Sequence, residues 1–212
     1  MRRTFVALAL AAAAVFLAPG PAAASAPTPD QSCGTLRLTG SSPAPPAGKA
    51  VRQSVTIGPD CQVITGPAKV VAASPAARTA AAAPFHTYSQ MYDCCGIVMT
   101  ALYTDSTATT AGGQVTSSSS TRSTHNNREP WNAGWSLVSA TGSGGCAGAC
   151  PAAEYNHHAE FSYQGIFDAT GNWYYNVHDS KVVLNGDGTA RCEQSVTLRH
   201  SFIGWNWVHG CG

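Results

Sequence analysis

The sequence predicts an all-β fold: an antiparallel β-sandwich of about 7–9 short strands, stapled by disulfides and preceded by a cleaved signal peptide. Three observations carry that expectation. No stretch beyond residue 30 shows capped helical periodicity. Turn signals recur at short spacing, and all eight cysteines lie after the first two dozen residues.

At the N-terminus, Arg2 and Arg3 precede an apolar run from Phe5 to Ala18, which Pro19-Gly20-Pro21 then breaks. Small residues follow, and Ala22-Ala23-Ala24 forms a cleavage site, the order expected of a secretory signal over residues 1–24. The run falls short of the roughly 20 residues a membrane-spanning helix needs, and no later segment is apolar enough, so no membrane span is expected. Loss of Arg2 and Arg3 from a total of 12 basic against 11 acidic residues leaves a nearly neutral mature chain. That balance excludes long-range attraction to nucleic acid or to anionic membranes.

Nine of the 13 prolines fall between Pro27 and Pro84, which divides the mature chain near residue 84. Residues 25–71 read as a small N-terminal β element or a propeptide. Residues 72–84 read as an Ala/Pro-rich linker, and residues 85–212 as the main β-sandwich domain. In the first part, Thr35 to Leu38 and Val51 to Ile57 are strand candidates that Cys33 and Cys61 would staple as a hairpin. In the main domain, Cys95 to Thr104 is an apolar run, Gly112-Gly113 a turn and Val115 to Ser123 a hydroxyl-rich strand. Thr124 to Pro130 and Gly142 to Pro151 read as loops on either side of a strand begun by Trp135, Leu137 and Ser139. Gly142-Ser143-Gly144-Gly145 resembles the nucleophile motif of chymotrypsin-like serine proteases. Gly142 stands where that motif has Asp, and no His has the matching context, so the segment reads as a Gly/Ser loop.

Asp168-Ala169-Thr170-Gly171 suits a type I turn with a bulge, which would set Tyr163 opposite Val177 and Phe161 opposite Asp179. In that register one hairpin face is aromatic, and the other gathers His158, Glu160 and His178. Imidazole and carboxylate together suit a divalent metal or acid–base work, so these three are the candidate metal ligands. Asn185 to Gly188 turns the chain again, and Gly204 bends a last long strand into Trp205-Asn206-Trp207. Trp131, Tyr174, Trp205 and Trp207 are candidate binding aromatics, because such rings stack on sugars or anchor interfaces.

The even cysteine count in an exported chain reads as a disulfide framework. Spacing suggests Cys33–Cys61, Cys146–Cys150 and Cys192–Cys211, and the neighbours Cys94 and Cys95 read as half-cystines that reach other partners. The residues together imply a secreted, extracellular, monomeric and non-catalytic domain without a cofactor. Its expected partner is an extracellular glycan, a cell-wall polymer or a protein. The alternative is a secreted hydrolase or metalloprotein built on the His/Glu cluster.

Intact mass of the secreted product, with and without reduction and alkylation, is expected to show a chain beginning at Ser25. Recovery of an unprocessed chain with every thiol alkylatable would exclude export.

Overall fold

The computed structural model describes residues 32–42, 45–46, 48–72, 84–128, 134–164 and 173–212. The proposed signal, most of residues 72–84, Trp131 and the Asp168–Gly171 turn lie outside them. Among the described residues there is no α-helix, and twelve strands form two antiparallel sheets.

In chain order the strands are β1 (Ser32–Ser42), β2 (Lys49–Ile57), β3 (Val63–Thr65), β4 (Lys69–Ala72), β5 (Phe85–Tyr92) and β6 (Val98–Ala111). They continue with β7 (Gln114–Asn126), β8 (Ser136–Gly145), β9 (Ala152–Gln164), β10 (Trp173–Asn185), β11 (Ala190–Phe202) and β12 (Asn206–Cys211). The five-stranded sheet runs β1-β11-β10-β9-β8. The seven-stranded sheet runs β3-β2-β12-β5-β6-β7, with β4 also pairing β2. The strands outnumber the expected 7–9, and β9, β10 and β11 reach 13 residues each, so they are not short.

Residues 32–72 are woven into both sheets. β1 pairs β11 in one sheet, while β2 lies between β12 and the short β3 and β4 in the other. The expected β1–β2 hairpin therefore does not form. The Cys33–Cys61 bond joins β1 to the tight turn after β2, and so ties one sheet to the other. Cys192–Cys211 does the same between β11 and β12, and Cys146–Cys150 closes the loop between β8 and β9. By constraining the unfolded chain, each sheet-to-sheet bond is worth about 3 kcal/mol. Cys94 and Cys95 are not half-cystines: both are exposed free thiols.

Gly142 to Gly145 is strand, not loop, because it forms the end of β8 and pairs with β9 from His157 to Glu154. Glycine is required there: a Cβ on Gly144 would collide with the Glu154 carbonyl, and one on Gly142 would meet the His157 ring at 2.8 Å. The Gly112-Gly113 turn forms as expected, with both residues at positive φ.

The expected β9–β10 register is replaced by one in which Tyr163 faces Tyr174, Phe161 faces Asn176 and His158 faces Asp179. The change is odd in number, so β10 presents its other set of side chains to the core. Tyr174, Asn176, His178, Ser180, Val182 and Leu184 point inward. Polar residues lie inside because the opposite sheet supplies their partners. His178 shares hydrogen bonds with Ser89 Oγ at 2.7 Å and Thr100 Oγ1 at 2.9 Å. Trp207 Nε1 donates to Ser89 at 2.8 Å, Asn176 donates to Thr100 at 2.9 Å, and Ser180 meets Thr87 at 3.3 Å.

These groups form a polar belt across the middle of the core. On one side of it lie Leu38, Ile57, Met91, Leu102, Phe161, Leu198 and Trp207. On the other side lie Val115, Ala153, Tyr155, Val182 and Leu184. Burial of the belt has an electrostatic cost. Desolvation lowers the His178 pKa to about 3 and that of His209, fully buried against Trp207, to about 4. His157, which shares a 2.7 Å hydrogen bond with Ser120, is also held below its usual value, first by burial and then by Arg122.

Between the ordinary histidine value of 6.5 and these lower folded values, the unfolded chain binds protons that the folded chain refuses. Stability is therefore full above about pH 6.5 and falls below it, by up to about 1.4 kcal/mol per pH unit for each ring. Urea unfolding from about pH 7.5 down to about pH 4.5 should show this decline, and a flat profile would contradict it. At neutral pH, Ser89→Ala removes the partner shared by His178 and Trp207 and is expected to cost about 2–4 kcal/mol. A loss under about 0.5 kcal/mol in the same assay would show that the belt is not coupled through Ser89.

Candidate functional site

Inward-pointing His178 leaves the opposite set of β10 side chains, Trp173, Tyr175, Asp179 and Lys181, on the outer face of the five-stranded sheet. Register places side chains from all five strands in rows across that face. One row runs Thr39, Ser195, Asp179, His158, Thr141, and the next runs Ser41, Glu193, Lys181, Asn156, Ser143. Together they line an open groove of about 920 Å³. Its lining holds no aliphatic hydrocarbon side chain and no Phe, Tyr or Trp.

Within the groove, His158 Nδ1 lies 2.8 Å from Asp179 Oδ1, and the Ser195 hydroxyl donates to the other carboxylate oxygen at 3.5 Å. The acid thus stands between the base and the hydroxyl. Nucleophile activation requires the imidazole in the middle, taking the hydroxyl proton while the acid orients it. The row is therefore suited to presenting fixed donors and acceptors rather than to building a serine nucleophile. Lys181 Nζ pairs with Glu154 at 3.0 Å on the same face. Arg37 and Lys181 balance Asp179 and Glu193 in the lining. At one end of β10, Trp173 is 48% exposed, and Arg199 lies over the ring of Tyr175 at 5.5 Å.

His158 and Glu160 share this outer face, whereas His178 lies on the other side of the sheet, fully buried. The three proposed metal ligands are not brought together, and among the described residues no cluster of three or more His, Cys, Asp or Glu is placed to hold a metal. Three of the aromatics expected to bind are in the interior: Tyr174, Trp205 and Trp207 are 5%, 8% and 0% exposed. Trp131 lies outside the described residues. Trp173 and Tyr175 are on the outer face, because they share the parity of Asp179.

Asp179, Lys181, Ser195 and Trp173 were missed as site residues. A usable signal was present. Along β9, β10 and β11, formal charge at Glu154, Glu160, Asp179, Lys181, Arg191, Glu193 and Arg199 marks the solvent side, while neutral polar residues occur on both sides. A charged group has far more hydration to lose than a hydroxyl or a neutral imidazole.

Among the described residues, no helix is long and apolar enough to cross a membrane. No family model, no curated protein and no solved structure matches this chain.

Proposed function

We propose that this chain is an exported, non-catalytic binding domain that takes a neutral polyhydroxylated polymer, a glycan or cell-wall polysaccharide, across the outer face of the five-stranded sheet. One observation carries the reading: a wide groove lined, apart from Gly40, by residues with hydroxyl, amide, imidazole and balanced charged side chains, on a face that also exposes Trp173. A sugar ring has hydroxyls on its rim and an apolar flat side. Hydrogen bonds from Thr39, Asn156, Asp179 and Ser195 suit the rim, and the Trp173 indole suits the flat side.

The distance along β10 supports a polymer over a single sugar. Trp173 and Asp179 are six residues apart on one strand, or about 20 Å, so one ligand touching both must span several rings. The balance of Arg37 and Lys181 against Asp179 and Glu193 in the lining favours a neutral chain over a phosphorylated or sulfated one. Disulfide-stapled β-structure suits work outside the cell, where thiols are not kept reduced.

A panel of soluble and insoluble polysaccharides offered to the full chain should retain it on at least one neutral member. Trp173→Ala should weaken that retention about tenfold, or ~1.4 kcal/mol, without changing the thermal midpoint. No retention on any member removes the reading. Release of new reducing ends, lost in His158→Ala, would replace it with a hydrolytic one that uses the same groove.

A further inference from the structure

Cys94 and Cys95 stand apart from the groove, in the turn that joins β5 to β6. Their sulfurs lie 3.4 Å apart, and both residues are exposed, whereas the other six cysteines are paired in disulfides. The turn is built to hold them. Asp93 Oδ1 accepts from the Cys95 amide at 2.9 Å and the Ile97 amide at 2.8 Å. The Asp93 amide donates to the Ile97 carbonyl at 3.0 Å, closing the base of the turn. On the other side, Cys94 rests against Gly204, where even a Cβ would lie 3.3 Å from it at a backbone φ of +86°. Two accessible sulfurs on a clamped turn are an arrangement for two-electron chemistry rather than for packing, since neither is buried.

We infer that Cys94 and Cys95 form a dithiol–disulfide site that exchanges with small-molecule disulfides of the glutathione type. The Cys95 thiolate attacks one sulfur of the disulfide. A bond forms between Cys95 and that sulfur, the disulfide bond breaks, and the first small thiol leaves with a proton. Cys94 then gives up its proton and attacks the Cys95 sulfur. The Cys94–Cys95 bond forms, and the second small thiol leaves. The pair loses two electrons and two protons, and one disulfide becomes two thiols.

The order of attack follows from the neighbourhood of Cys94. Its hydrogen bond to Cys95 comes first, followed by burial and the charges of Cys95 and Asp93, and together they raise its pKa. That direction favours Cys95 as the attacking thiol and Cys94 as the resolving one.

The test uses the full chain, equilibrated in reduced and oxidised glutathione at a series of ratios, quenched by alkylation and mapped by peptide mass. Wild type should pass from doubly alkylated to an internal disulfide with little glutathione adduct. Cys94→Ser should instead accumulate the mixed disulfide at Cys95, at least about tenfold above wild type. Brief alkylation of the reduced wild type should label Cys95 ahead of Cys94. Adducts in wild type equal to those in Cys94→Ser would show two independent thiols and overturn the proposal. So would a pair that remains fully alkylatable at every ratio, or one that oxidises only between chains.

Discussion

The buried imidazole of His178 is the constraint on which the architecture depends. It reaches a hydroxyl on β5 with one nitrogen and a hydroxyl on β6 with the other, from a strand in the opposite sheet. A neutral imidazole donates through one nitrogen and accepts through the other, so both contacts are satisfied only at one relative placement of the sheets. Apolar packing tolerates sliding, whereas a hydrogen bond in a dry interior does not, because a misplaced donor forfeits its hydration without compensation. The belt around His178 therefore fixes the alignment of the two apolar clusters, and the sulfur bonds at the sheet ends hold the pairing together.

That same inward turn of His178 creates the exterior face. Because β10 sends Asn176, His178 and Ser180 to the core, Asp179 and Lys181 must emerge on the other side, between Glu193 of β11 and His158 of β9. Interior hydrogen bonding and groove chemistry are two consequences of a single strand parity. A substitution that reversed the parity would damage both, while one confined to the groove rim would leave the core intact.

Much of the framework was legible from residue type and spacing. The all-β class, the three local sulfur pairings and the Gly112-Gly113 turn needed only composition, short separations and turn chemistry. The hairpin register was not legible, because alternation was read as apolar inside and polar outside. That rule fails wherever buried hydroxyls and imidazoles find partners, and those partners, Ser89 and Thr100, are more than seventy residues away in sequence. The metal cluster depended on that register, so His178 was assigned to a surface it does not reach, while Tyr174, Trp205 and Trp207 were chosen by ring type alone and are interior. The vicinal thiols were also misread, since no spacing rule distinguishes a pair facing each other across 3.4 Å from two half-cystines with remote partners.

The position of β12 has a bearing on how the molecule assembles. This strand, residues 206–211, sits at the centre of the seven-stranded sheet with β2 on one flank and β5 on the other. Strands made early thus lack their common neighbour until residues 206–211 have left the ribosome. Nascent β2 and β5 have open edges toward each other, and Cys192 has no mate before Cys211 emerges. Such an order of synthesis delays compaction and keeps the chain threadable for longer, a useful property for any polypeptide that must be passed through a narrow channel before it acquires its shape.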